Sequence, residues 1–287
     1  MSEYVIVTET GGDIPADFVK RYGIELVPMH VTFGERSLDD GTFPVSDIVA
    51  HYEATGELPR TSGCTPQDFT RVFDRVHAEK PQAHILYLAY SAVTTCSFES
   101  ARIAAEGRGY VTAIDTKSVT AGQFLVVTNT ARFVGANPSA TIDEVRAFVE
   151  DQVARVRMAF IPGGLEFLRA GGRLSNAAYL GAQLLRIKPQ IEILDGKLVA
   201  TRKLRGSYRR AVMTQVRDFT GGEQQPELDR ERIALITSEG LDEGIMREAE
   251  EYVRAAGFRE ITWIPTGCVI FSHSGPGSFG IAALAAK

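Results

Sequence analysis

Near the C-terminal end of the sequence, His273 stands two positions before Gly275-Pro276-Gly277-Ser278-Phe279-Gly280. The letters match the dinucleotide fingerprint GxGxxG and follow an apolar, strand-like run, Gly267–Phe271. The fingerprint also needs a helix, a second strand and an acidic residue about twenty positions on. Only Ile281–Lys287 follow here, and a dinucleotide site is not expected. Two readings stay open. The glycines form a tight turn, or they open a short helix whose N–H groups at Gly275 and Gly277 face an anion, with His273 beside it.

Hydroxyl side chains cluster in two other stretches. Thr61 and Ser62 lie in the polar segment Thr55–Pro66; Ser91, Thr94 and Thr95 follow the apolar run His84–Ala89. Such groups are neutral donors suited to a carboxylate or an oxyanion. Hydroxyls in the same stretches also suit helix capping, Thr65 before Pro66 and Thr94 or Thr95 before the next helix among them. Arg173, between Gly171-Gly172 and Leu174-Ser175, offers a guanidinium fork to a carboxylate or phosphate. Lys197, Arg202, Lys203, Arg205, Arg209 and Arg210 make a basic stretch that serves as a solvated face or steers an acidic partner.

Cys64 and Cys96 are the conceivable nucleophiles, and a cysteine hydrolase is the rival class they define. Neither has a base adjacent in sequence. Three widely separated cysteines without CxxC spacing predict neither a disulfide framework nor a structural zinc, and no metal-binding pattern is present. A GxSxG elbow is also missing, because Pro276 stands where its first glycine belongs. No catalytic residue and no cofactor are assigned.

These side chains need a scaffold. Apolar runs at Tyr4–Thr8, His84–Ala89 and Tyr110–Ile114 alternate with helical periodicity at Ile14–Tyr22, Pro66–Ala78, Thr95–Ala105 and Thr120–Phe133, the pattern of a parallel α/β sheet. Ligands bind such sheets where strands feed loops, which are the positions of Thr8–Gly12, Ala89–Thr95 and Asp115–Thr120. Ile24–Asp40 is extended, and Thr141–Val156 reads as a helix. Beyond it, Lys188–Leu194 and Lys197–Leu204 flank Asp195-Gly196, a type I′ hairpin signal, so the second half is antiparallel or mixed. The expectation is two α/β domains, residues 1–157 and 158–287, with a small-molecule site between them.

A chain of 287 residues has room for both. With 31 basic and 36 acidic residues its net charge is −5, which disfavours nucleic acid as a partner. No run reaches membrane-spanning length and no signal-like segment opens the chain, so a cytoplasmic location is expected.

The ordered series of motifs resembles the DegV family of fatty-acid-binding proteins over essentially the whole chain. Glu9–Pro15 (ETGGDIP) is similar to the family's D-S-T-x-D-L-P, and Arg60–Pro66 (RTSGCTP) to its T-T-S-Q-P-S-P loop. Ser91–Ala101 (SAVTTCSFESA), Ile114–Val119 (IDTKSV), Leu165–Ser175 (LEFLRAGGRLS), Ile187-Lys188-Pro189 and His273–Gly277 (HSGPG) continue it. The resemblance implies a long-chain fatty acid in a tunnel between two domains. Its carboxylate would be held by Thr61 or Ser62 and by Thr95, with His273 and Arg173 near the head group and Ser91, Cys96, Gly275 and Gly277 in the surrounding loops. It also implies a partner, a separate ATP-dependent fatty acid kinase that phosphorylates the carboxylate on the way to phospholipid; the basic stretch, at Arg202 and Arg205, would be its docking face. A regulatory module in which lipid is purely structural is the remaining alternative. The sequence departs from the pattern at Thr95-Cys96 for Ser-Gly, Gly63-Cys64 for Gln-Pro, and Glu9 for Asp.

Overall fold

The computed structural model describes residues 4–172, 185, 187–221 and 227–287. Its first sheet is fully parallel, in the order β2-β1-β6-β7, built from β1 (Tyr4–Glu9), β2 (Glu25–Val27), β6 (His84–Ala89) and β7 (Val111–Asp115). Both of its faces are covered, and the two-residue alternation of the strands divides their side chains accordingly. Ile6, Leu86 and Leu88 pack on α5 (Thr120–Ala136), whereas Val5, Val7, Ile85 and Tyr87 pack on Phe69 and Phe73 of α3 (Pro66–Glu79). The start of α3 is set locally: Pro66 occupies its first turn, and Thr65 and Asp68 form a reciprocal capping box. Between the sheet strands lie α1 (Ala16–Tyr22), α2 (Ser46–Thr55) and α4 (Ser97–Ala105).

A small antiparallel sheet, β4-β3-β5, is made of β3 (His30–Phe33), β4 (Arg36–Asp39) and β5 (Arg60–Ser62). The polar segment Thr55–Pro66, expected to be loop, therefore carries a strand. Three residues are too few to show alternation, and their pairing partner lies about thirty positions away, beyond local pattern. The register sets Thr61 opposite Val31 and Ser62 opposite His30.

The second sheet has the order β10-β9-β8-β13-β11-β12 and is antiparallel except where β11 and β12 run parallel. Its strands are β8 (Val156–Ile161), β9 (Lys188–Leu194), β10 (Lys197–Leu204), β11 (Leu228–Thr237), β12 (Glu260–Pro265) and β13 (Phe279–Ala285). The hairpin β9-β10 turns through Asp195 and Gly196 with φ of 47° and 79°, the left-handed pair that a type I′ turn requires. Around the sheet lie α6 (Ile142–Arg155), α7 (Leu165–Ala170), α8 (Tyr208–Gly221), α9 (Glu243–Ala255) and α10 (Cys268–Ser274).

Two expectations are corrected here. Gly267–Phe271 is not a strand, since its residues open helix α10; nor do the glycines after it open a helix, since they lead into strand β13. A short apolar run bounded by glycines suits either state, and burial decides between them. In this fold the sheet position next to β11 is already filled by β13.

The two sheets are joined through one helix. Most of α5 is buried, and a single apolar core runs from Ile6 and Leu86 through Phe124 to Ala234, Ile236 and Ala282 of the second sheet. A polar seam accompanies it. Arg232, 6 % exposed, donates to Thr128 Oγ1 at 2.9 Å, to Asn129 Oδ1 and to Glu260 at 3.2 Å, and Glu260 also pairs with Arg132 of α5.

Candidate functional site

A cavity of about 300 Å³ lies where the three sheets meet. At one end it is lined by Thr61 and Ser62 of β5, Thr95 and Cys96 of the loop after β6, and His273 near the end of α10. The remaining wall is mainly apolar, with Met158 and Phe160 from β8, Leu198 from β10, Ile236 from β11 and Phe279 from β13. Among the described residues, no Lys, Arg, Asp or Glu lines it.

The polar end is assembled by close approach. His273 Nε2 lies 2.8 Å from Thr61 Oγ1. With Nε2 protonated, histidine donates and the threonine keeps its own proton for a ligand. Thr95 Oγ1 accepts the Ser97 N–H at 3.3 Å and lies 3.1 Å from Ser97 Oγ, which accepts the Cys64 N–H at 3.0 Å. With Ser97 as the hydroxyl donor, the Thr95 proton is also free to point into the cavity. The end is then two hydroxyl donors and an imidazole, an arrangement that can bind a carboxylate through charge-assisted hydrogen bonds without a fixed ion pair.

Two glycines permit this. A Cβ on Gly63 would stand 2.3 Å from Thr95 Oγ1 and 2.6 Å from Ser97 Oγ, so only glycine lets the chain after β5 approach the Thr95 loop. A Cβ on Gly171, at the end of α7, would stand 2.1 Å from His273 Nδ1. Gly171, the residue that closes α7, thus also makes room for the imidazole.

Sequence reasoning missed the anchor of α10. Asp13 Oδ1 accepts the Gly267 N–H at 2.8 Å and Asp40 Oδ1 accepts the Cys268 N–H at 2.9 Å, so two buried carboxyls hold the start of the helix that carries His273. Burial pushes both carboxyls above their ordinary range, most strongly Asp13, against these N–H bonds. A motif that fixes a helix from 228 or more positions away leaves no local trace. Glu9 is likewise buried, accepting from the Tyr87 hydroxyl, the Tyr90 N–H at 2.9 Å and Gln123 Nε2 at 3.2 Å. Burial pushes it up to about 7, although these donors oppose the rise.

The other candidate residues fall elsewhere. Ser91 is buried and its hydroxyl donates to the Gly196 carbonyl at 2.7 Å, pinning the β9-β10 turn. Gly275 and Gly277 lie off the cavity wall, and their N–H groups go to the carbonyls of Phe271 at 2.9 Å and Glu239 at 2.8 Å. They shape the turn from α10 into β13. Arg173 lies outside the described residues. Arg202 pairs with Asp218, and Arg205 is exposed; neither lines the cavity. Cys96 is exposed at the cavity, whereas Cys64 is buried away from it with its thiol pushed well above the ordinary value by burial.

Relatives share this architecture. A DegV domain-containing protein of Caldanaerobacter subterraneus subsp. tengcongensis is 27% identical over 98% of each chain, and one of Deinococcus radiodurans is 28% identical over 96% of each. A solved structure describes the fatty acid binding of a DegV family protein from Thermus thermophilus; it is 28% identical, covers 100% of both chains and superposes with a TM-score of 0.83. The family model described as "Uncharacterised protein, DegV family" matches residues 3–286, and by that end-to-end agreement of sequence and fold the chain belongs to the DegV family.

Proposed function

We propose that this protein binds a long-chain fatty acid in the cavity, carboxylate toward Thr61, Thr95 and His273, and presents it to a separate ATP-dependent kinase. One observation carries the reading: Thr61, Thr95 and His273 come together on the wall of a cavity whose lining is mainly apolar, with further hydroxyls at Thr120, Thr266, Ser274 and Ser278. The fatty acid binding described for the Thermus thermophilus relative supports it. Burying the tail contributes about 0.8 kcal/mol per methylene before the costs of association, so the tail supplies most of the affinity. The carboxylate loses water, and the hydroxyl and imidazole donors offset that loss. Because no lysine or arginine among the described residues clamps it, one oxygen stays available to attack a phosphoryl group. The protein then holds a substrate and performs no turnover alone. A hydrolase built on Cys64 is disfavoured by its burial and its raised thiol.

Denaturing mass spectrometry of the freshly purified protein tests the first step, and a co-purifying long-chain acid is expected. Thr95→Ala and His273→Ala should each weaken fatty-acid binding about tenfold, the loss of one charge-assisted hydrogen bond. Unchanged affinity in both variants sinks the head-group assignment. Presentation is tested separately: Arg205→Glu should slow phosphorylation of the bound acid without emptying the cavity.

A further inference from the structure

Two hollows in this fold share one side chain. Met158 and the Val119–Thr120 corner that starts α5 form part of the cavity wall beside Phe160. Met158 also lines a groove of about 880 Å³, whose other walls mix apolar residues, Ile114, Val153 and Ile193 among them, with the charged Asp115, Lys117, Glu150, Arg157 and Asp195. Met158 lines both spaces while being only 4 % exposed, so it stands between them. It sits two residues along β8 from Phe160, on the same face and about 7 Å further from the polar end.

The two halves of this partition differ in stiffness. The corner is backbone held in an unusual conformation: Lys117 and Thr120 have φ of 48° and 34°, the latter a β-branched residue in the left-handed region. Ser118 and Val119 between them are buried, and a Cβ on Gly122 would stand 2.0 Å from Ser118 Oγ, so the corner packs closely on α5. Met158, unbranched and with three rotatable side-chain bonds, is the part that can yield. The volume on the polar side, about 300 Å³, is at the lower bound for pockets that bury a drug-sized ligand, so a long chain fills it to this wall.

We propose that Met158 is the gate that sets the acyl chain length this protein accepts, and that the groove beyond it is a subsite for the methyl end of chains too long for the first cavity. The inference rests on the fatty-acid reading above. The apolar residues of the groove, Ile114, Val153 and Ile193 among them, suit the methylenes of a tail end.

The experiment is displacement of a fluorescent fatty acid by palmitic, stearic, arachidic and behenic acids. It compares the wild type with Met158→Ala, Met158→Leu, Met158→Phe and the double variant Met158→Ala/Ala154→Trp, whose indole narrows the groove from α6. Met158→Ala should raise the affinity for behenic acid relative to palmitic acid about tenfold, and Met158→Phe should lower that for stearic acid by a similar factor. Met158→Leu, near in volume, keeps the wild-type profile and controls for folding. Adding Ala154→Trp should cancel the gain. Coincident chain-length profiles in the wild type, Met158→Ala and Met158→Phe overturn the gate, and a gain that survives Ala154→Trp overturns the subsite. Failure of the wild type to bind palmitic acid removes the fatty-acid reading itself, whereas binding with coincident profiles removes this inference alone.

Discussion

Glu9→Gln isolates the energetics of one buried carboxyl. Glu9 is fully buried at the end of β1, and burial pushes its pKa from 4.5 to about 7 despite donors from Tyr87, Tyr90 and Gln123. Between those two values the folded protein holds a proton that the unfolded chain has released. Stability therefore falls as pH rises through the window, and the contribution of the raised pKa is present in full only below 4.5. At about 1.4 kcal/mol per unit, a shift of this size makes the loss roughly 3 kcal/mol by pH 8. Glutamine matches the volume and cannot ionise, and the Tyr87 hydroxyl can turn to accept from its amide. Urea denaturation of both proteins at intervals from about pH 5 to about pH 8.5 gives the difference in unfolding free energy. Groups common to both proteins cancel, so the wild type should lose stability relative to Glu9→Gln across the range. Two curves running parallel would falsify the claim that Glu9 is held neutral by burial.

Other substitutions probe the close approaches that build the site. Gly171→Ala puts a methyl 2.1 Å from His273 Nδ1; the imidazole must move off Thr61, and fatty-acid affinity measured by displacement should fall about tenfold while the fold persists. Gly163→Ala meets the Pro276 carbonyl at 1.7 Å, a backbone atom that cannot rotate away, so this variant should fail to give folded protein in a thermal melt. Glu260→Gln leaves the nearly buried Arg232 guanidinium without its carboxylate; because that carboxylate is itself partly exposed and Arg232 keeps Thr128 and Asn129, the cost in urea denaturation should be about 1.5 kcal/mol.

Much of the scaffold is legible because its causes are local. The hairpin β9-β10 is announced by Asp195-Gly196, the start of α3 by Thr65-Pro66 with Asp68, and the parallel sheet by apolar strands alternating with helical runs. Strand β5 and helix α10 are not. The first exists because β3 pairs with it, and the second because Asp13 and Asp40 receive its first N–H groups. Ser91 shows the same limit from the other side. Its hydroxyl sits in a motif beside Thr95, yet it is turned away to the Gly196 carbonyl, a partner 105 positions distant.

The sequence by itself determined which residue types were available for chemistry, Thr61, Thr95 and His273 among them, and the order of motifs that relates the chain to its family. It did so because turns, caps and alternation depend on neighbours along the chain, and because motif order is a property of the chain alone. Only the tertiary structure decided that Thr61 meets His273 across 212 positions, that Gly63 and Gly171 make the space for that meeting, and that Met158 stands between two hollows. Those outcomes depend on which surfaces exclude one another in space, a matter that spacing along the chain does not encode.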